Sequence, residues 1–385
     1  MLIDSLPEFC LERWQSLREN YAKILLSESG VEPLTIAELE ELYGKPIINS
    51  SLELGYGWTK GSPELRSKIA ELYDGVSKDN ILVTCGSSEA NLLTTLATVE
   101  KGDTIVVEMP NYMQIPGLLK WRGAKVIEIW RKPERNFQLS TDELVKIIEE
   151  YKPKAFFAIN PNNPTGKFLK EKELREIAEA ANKNNTILVF DEIYRGLEHD
   201  SPTPPSIIDL VGVEKGVVTS GLSKVFGLPG LRIGWIVARK RLIEKLWSIK
   251  DYTTIAPSKI SDHIATIALS ENIRETLVER AKKIVKENKK TLRNLSSNYS
   301  DVMRIVWPEA ASFFIAEINW TENSEETCEK LFENYGILIC PGTCFNLSKY
   351  VRVTLGQETR KFRKNIAELF EALAKLKSIQ SKRSR

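Results

Sequence analysis

Lys224 stands among the small residues Gly221 and Ser223, directly after the apolar run Gly216-Val-Val-Thr219. A lysine at the end of a buried strand gains little from packing. Desolvation there favours its neutral, nucleophilic form, which Schiff-base chemistry with a carbonyl compound needs. Arg232 follows eight residues later, after Gly227, Pro229 and Gly230 let the chain double back. Its planar fork suits a phosphate clamp. The same two residues would also serve an ordinary basic surface loop, since Lys and Arg total 54 of 385 residues. Other stretches must decide between the two.

Four of them carry polar groups where apolar runs end. Gly86-Ser87-Ser88 follows Ile81 to Thr84 and opens a helix. Free backbone N–H groups, the helix dipole and two hydroxyls suit a phosphate there, although Ser88 would equally cap the helix. Asn111-Tyr112 follows Met109-Pro110, and the Tyr112 ring either packs within its loop or lies against a flat cofactor. Asn160-Pro-Asn-Asn-Pro-Thr-Gly166 is dense in turn formers, and it also holds Asn163 at a strand's end, where an amide meets a ligand. Asp191 closes the apolar run Ile187 to Phe190, with Tyr194 three residues on. A buried carboxylate needs a partner, and a protonated ring nitrogen is one. Near the C-terminus, Tyr350-Val-Arg-Val-Thr354 alternates, so Arg352 points away from Val351 and Val353.

The elements that must position these residues alternate. Strands are predicted at Ile81–Thr84, 104–107, 125–129, Ala155–Ile159, 187–190, 217–219 and 235–238. Helices are predicted from Gly86 to about Val99, over 142–151 and over 171–184. A further helix runs from about Pro63 to Tyr73, with Ser62 as cap, Pro63 in its first turn and Glu64 next. Such alternation predicts an α/β fold built on a mostly parallel, doubly wound sheet, with ligands at the carboxyl ends of its strands. A helical pattern covers about 259–295. Beyond it, strands at 313–318, 337–340 and 351–354 interleave with helices near 325–335 and 359–376, which predicts a smaller α+β domain. Residues 1–45 alternate charged and apolar residues at helical spacing (Phe9, Leu11, Trp14, Leu17, Tyr21), with a short helix at 35–43 and no helix-turn-helix.

Composition narrows the classes. The length suits two to three domains, or a large domain with a smaller one. A net charge of +2 leaves no electrostatic footprint for nucleic acid. Five cysteines (Cys10, Cys85, Cys328, Cys340, Cys344) are too few and too scattered for a disulfide framework. With only His199 and His263 in the chain, the Cys340/Cys344 pair completes no zinc site. No apolar run reaches a membrane span, and the first eight residues lack the pattern of a secretory leader. A cytoplasmic protein with no membrane contact is expected, with a solvated, frayed end over 375–385.

Taken together and in this order, the motifs resemble those of the class I/II aminotransferase family, fold type I pyridoxal-phosphate enzymes. They are Tyr56…Gly61…Leu65-Arg66, Gly86-Ser87-Ser88-Glu89-Ala90, Pro110-Asn111-Tyr112, Asn160 to Gly166, Asp191-Glu192-Ile193-Tyr194, Ser223-Lys224 with Arg232, and Val351-Arg352. The resemblance spans about residues 50 to 356 and implies a role for each residue. Lys224 carries the cofactor as a Schiff base and moves the proton between Cα and C4′. Asp191 keeps the pyridine nitrogen protonated, so that the ring accepts the electron pair. Asn163 and Tyr194 bond the phenolic oxygen, and Tyr112 stacks on the ring. Gly86, Ser87, Ser88 and Arg232 hold the phosphate, and Tyr56 reaches it from the partner subunit. Arg352 takes the substrate α-carboxylate. Many members carry a Ser or Thr three residues before the lysine; here that position is Gly221, with Ser223 or Ser220 in its place. Ser29-Gly30 matches the family's N-terminal substrate loop, which brings Gly30 to the substrate.

The resemblance implies a homodimer with shared active sites that moves an amino group between an L-amino acid and a 2-oxo acid. The implied division is an N-terminal segment over 1–50 packing with the small domain, a cofactor-binding domain over 51–285 and a small domain over 286–385. Two other outcomes keep the cofactor. One is a β-lyase. The other is a guanidino-amino-acid cyclase, because Leu11-Glu-Arg-Trp and Ser29 to Glu38 resemble the start of capreomycidine-synthase-like enzymes. A non-catalytic effector domain of a regulator would need an N-terminal DNA-binding domain, which residues 1–45 do not supply.

Overall fold

The computed structural model describes residues 6–48 and 50–383. Its largest element is a seven-stranded sheet in the spatial order Ile81–Thr84, Gly234–Val237, Gly216–Gly221, Ile187–Asp191, Ala155–Ile159, Thr104–Met109, Lys125–Trp130. Gly234–Val237 runs antiparallel to both neighbours, and the other pairings are parallel. Ile81–Thr84, Ala155–Ile159 and Gly216–Gly221 are buried at every position, as expected of strands covered on both faces. Successive side chains enter opposite cores. Val83, Phe156, Leu188 and Val218 belong to one, and Leu82, Phe157, Val189 and Val217 to the other.

The expected strands of the large sheet all form, several with one to three more residues than predicted. Sequence reading missed the helices Ile207–Lys215 and Lys240–Lys250. The helix from Pro63 is capped as expected, Ser62 accepting from Leu65 N–H at 3.1 Å, but it ends at Ala70. The pattern over 259–295 is two helices, Lys259–Ala268 and Glu271–Ser296. Leu269 leaves helical geometry (φ −90°, ψ 2°) and Ser270 is extended (φ −62°, ψ 142°), so the hydrogen-bond ladder restarts there. The 285/286 boundary falls inside the second of these helices.

A four-stranded antiparallel sheet follows, in the order Cys340–Pro341, Tyr350–Thr354, Phe313–Glu317, Arg304–Val306. The strand expected over 337–340 is divided. Ile337–Leu338 instead pairs in parallel with Ile24–Leu25. The Trp14 indole donates to Ile339 O at 3.0 Å, so the N-terminal segment packs on the C-terminal unit. Its backbone then crosses to the large sheet, where Val31 N donates to Lys224 O (3.2 Å) and Leu34 N to Gly227 O (3.0 Å).

Two expectations change. Cys10 and Cys344, 334 residues apart, form a disulfide. Sequence spacing carries no sign that the helix Cys10–Ser16 lies against the turn Gly342–Phe345. The expected frayed end is helical, within Thr359–Arg383. Leu376 is buried, Lys377 pairs with Asp301 at 2.7 Å, and Gln380 donates to Trp320 O at 3.1 Å, which docks it. Residues 384–385 of that stretch lie outside the described residues, as do residues 1–5 of the N-terminal reading. Among the described residues no helix is long and apolar enough to cross a membrane, and no group of three or more His, Cys, Asp or Glu could hold a metal ion.

Candidate active site

The loops at the carboxyl ends of the strands meet the N-terminal segment and strand Tyr350–Thr354 around a cavity of about 290 Å³. Ten residues singled out from sequence line it: Ser87, Ser88, Tyr112, Asn163, Asp191, Tyr194, Ser223, Lys224, Arg232 and Arg352.

Asp191 is the last residue of its strand and 4% exposed. Oδ2 accepts from Asn91 Nδ2 at 2.9 Å and Oδ1 from Ile193 N at 3.0 Å. Burial raises its pKa to about 6, with Asn91, Ile193 N–H and Lys224 acting against it. Thr219 Oγ1 donates to Asn91 Oδ1 at 2.7 Å, which turns the amide so that Nδ2 faces Asp191. Asn91 was not singled out from sequence; its only signal is its place one turn beyond Ser87 on the helix Ser87–Thr98. Lys224 is half-buried, and desolvation holds its pKa below the ordinary lysine value against the pull of Glu28. Tyr194 is buried edge-on to Phe313 (centroids 5.2 Å apart), and burial raises its pKa.

The phosphate end is built by close approach. Gly86 has φ +80°, and a Cβ there would lie 2.3 Å from Arg232 Nη2, so only glycine admits the guanidinium beside the helix N-terminus. Arg232 Nη1 donates to Pro229 O (3.2 Å) and lies 3.4 Å from Ser223 Oγ. Ser220 turns away, its hydroxyl donating to Glu192 O at 3.3 Å. Of the two serines, Ser223 therefore stands beside Arg232. At Gly221 a Cβ would meet Ile233 O at 2.8 Å and Gly234 Cα at 3.1 Å. Backbone crowding thus excludes a serine at that position.

Arg352 is 1% exposed and pairs with no carboxylate among the described residues. Nη1 donates to Asn163 Oδ1 at 2.9 Å, and Nη2 to Ser27 O at 2.8 Å and Cys340 Sγ at 3.2 Å. Nε is buried without a partner. The Phe313 and Phe345 rings lie 5.3 Å from the guanidinium carbon. Gly30 is laid against Lys224 by the Val31–Lys224 bond and lines an adjoining cavity with it. The Tyr112 ring meets Phe9 edge-on at 4.8 Å, and its hydroxyl donates to Glu12 Oε1 at 2.7 Å. Tyr56 is not brought to the others within one chain. It is 89% exposed and lines a separate cavity with Trp58, Pro257 and Lys259.

The set fits pyridoxal phosphate. It offers a lysine for the aldehyde, a buried carboxylate for the ring nitrogen, and a helix N-terminus with an arginine for the phosphate. It also leaves a buried arginine unmatched by any anion. Ser29, from the expected substrate loop, lines the same cavity, as do Glu12, Gln15, Glu19 and Glu28, which were not singled out as site residues from sequence.

Comparison with known proteins agrees with this geometry. The family described as Aminotransferase class I and II matches residues 35–372. The aspartate aminotransferase of Pyrococcus abyssi is 28% identical over 358 residues, 86% of this chain and 88% of that one. The capreomycidine synthase of Streptomyces vinaceus is 26% identical over 376 residues, 96% and 94% of the two chains. The crystal structure of a PLP-dependent aminotransferase from Streptococcus suis superposes with a TM-score of 0.89 at 30% identity, covering 96% of this chain and 98% of that one. With its lysine, carboxylate and arginines in one cavity and most of its length matched, the chain belongs to the class I and II aminotransferases, enzymes that depend on pyridoxal phosphate.

Proposed function

We propose that this chain moves an amino group between an L-amino acid and a 2-oxo acid, with Lys224, Asp191 and Arg352 at the centre of the work. One observation carries the reading: Arg352, buried and without an anion partner, shares a cavity with Lys224 and the buried carboxylate of Asp191. When bound, pyridoxal phosphate supplies the electron sink that makes the substrate's α-hydrogen acidic. Arg352 binds the α-carboxylate as a fork, which orients the substrate. Lys224, whose desolvation favours the neutral amine, takes the α-proton and returns it. Asp191, held by Asn91 and Ile193 N–H, is the carboxylate that would face the cofactor's ring nitrogen and hold a proton there. Asn163 uses its oxygen on Arg352, which leaves Nδ2 as the donor toward the cofactor's phenolic oxygen, with Tyr194 beside it. Tyr112 lies against the ring. Gly86, Ser87, Ser88, Ser223 and Arg232 receive the phosphate, and Gly30 borders the substrate.

The working unit we propose is a homodimer in the cytoplasm, divided into an N-terminal segment (1–50), a large domain (51–285) and a small domain (286–385). The dimer reading is supported by exposed Leu54, Tyr56 and Trp58, large apolar side chains that line two surface cavities. In the dimer Tyr56 reaches the phosphate of the partner's site. Sedimentation of a fully active monomer would overturn this. In the cytoplasm, the Cys10–Cys344 bond would be uncommon outside hyperthermophiles.

The test of function mixes the purified holoenzyme with a panel of L-amino acids. Transamination releases the 2-oxo acid while nitrogen stays on the cofactor as pyridoxamine phosphate. A β-lyase releases ammonia with the oxo acid, and a cyclase releases neither. The cyclase reading has in its favour the match of capreomycidine synthase to 96% of this chain. No change of the cofactor spectrum with any amino acid would refute all three readings. Borohydride reduction that labelled a lysine other than Lys224 would refute the assignment of the site.

A further inference from the structure

The cavity's charges do not balance. Its cations are Lys224, Arg232 and Arg352, and each has a partner assigned above: the cofactor's aldehyde, with which the Lys224 amine condenses, the cofactor's phosphate for Arg232, and the α-carboxylate for Arg352. Opposite them, Glu12, Glu19 and Glu28 line the N-terminal wall. Among the described residues none of the three forms a salt bridge; Glu28 and Glu12 act on Lys224, and Glu28 on Arg352, only at longer range, and Glu12 accepts from the neutral hydroxyl of Tyr112. Glu19 feels the crowding: burial, then Glu28 and Glu12, raises its carboxyl pKa. The wall is also fixed in place. The Cys10–Cys344 bond, the Trp14–Ile339 hydrogen bond and the Arg18–Glu329 pair (2.6 Å) fasten the helix Cys10–Ser16 to the C-terminal unit.

Position makes the three carboxylates a feature of the substrate's side chain. Ser27 O accepts from Arg352 Nη2, and Glu28 is the next residue, so a carboxylate stands beside the anchor for the substrate's own carboxylate. Arg352, 1% exposed with an unpartnered Nε, fixes where the amino acid's head lies. From that head the N-terminal wall is the face that carries unmatched charge. We propose that Glu12, Glu19 and Glu28 select an amino acid whose side chain ends in a cation, an ammonium or a guanidinium, and reject dicarboxylic amino acids. This rests on the reading of the cavity as an amino-acid transaminase site. A positive side-chain terminus relieves the repulsion among the three glutamates, whereas a second carboxylate adds to it.

The test compares charged and uncharged side chains on the holoenzyme: L-arginine with its isostere L-citrulline, and L-lysine with L-norleucine, which keeps the four-carbon stem without the ammonium. The cationic member of at least one pair should show a kcat/KM higher by roughly tenfold or more, the yield of one charge-assisted contact. The preferred pair tells guanidinium from ammonium. The advantage should shrink as salt is raised. Glu28→Gln, Glu19→Gln and Glu12→Gln should each lower the ratio, and Glu28→Arg should shift preference toward L-glutamate. Binding of 5-guanidinopentanoate, which lacks the amino group and cannot react, followed by tryptophan fluorescence, should weaken in the same variants. If amino acids are turned over but citrulline and norleucine serve as well as their cationic partners, this inference falls and the transaminase reading stands. If no amino acid is processed, the transaminase reading itself fails.

Discussion

Arg352→Lys separates recognition of an α-carboxylate from mere cofactor binding. Arginine presents Nη1 to Asn163 and Nη2 to Ser27 O, and keeps Nε buried without a partner. A lysine at this position retains one positive charge but not the planar fork, and its single nitrogen cannot meet Asn163, Ser27 and a carboxylate together. The lost charge-assisted contact is worth about 1.5–3 kcal/mol, which is about one to two decades in substrate affinity. Leaving the Asn163 and Ser27 oxygens short of a donor adds about 1–3 kcal/mol of lost stability. That second effect appears in unfolding curves, not in the comparison between ligands. The assay is the dissociation constant of an α-amino acid against that of the amine it gives on decarboxylation, in both proteins. Affinity for the amino acid should fall by one to two decades while that for the amine changes little. Equal affinity for the amino acid in both proteins, or an equal loss for the amine, would refute the assignment of Arg352.

Asp191→Asn should lower turnover by about 10² or more, the yield of one preorganised charge. The far-ultraviolet circular dichroism should stay unchanged, and near-native turnover would remove Asp191 from the ring nitrogen. Gly221→Ala should lower stability by about 1–3 kcal/mol in urea unfolding, because its Cβ meets the backbone of Ile233 and Gly234; an unaltered midpoint would contradict the crowding. His199 donates from Nε2 to Ala311 O at 2.6 Å, while Lys289 Nζ lies 3.2 Å from Nδ1. Burial lowers its pKa to about 4. The unfolded chain therefore binds more protons between about pH 6.5 and 4, so stability is lost as pH falls through that window, by at most about 3 kcal/mol. His199→Gln should flatten this limb of the urea midpoint against pH, and an unchanged limb would exclude His199 as its source.

Periodicity and strand-end residues told most of the large sheet in advance. Runs such as Ala155–Ile159 and Gly216–Gly221 can only be buried, and turn formers mark where they stop. Lys224, Asp191, Asn163 and Arg232 were legible for the same reason, as polar groups at the ends of apolar runs. Periodicity reports which face of an element is buried, but not what it is buried against. Asn91 and Asp191, 100 residues apart, therefore met only in three dimensions, as did Tyr112 with Glu12 and Arg352 with Asn163, 189 apart. Gly221 read as a missing hydroxyl until the approach of Ile233 and Gly234 supplied the steric reason. The acidic wall was least legible, since a glutamate on a short helix and two more on the turns and loop that follow it look like any solvated surface. Tertiary packing alone put Glu12, Glu19 and Glu28 in one cavity with Arg352, because a charge's partners depend on distance through space and not along the chain.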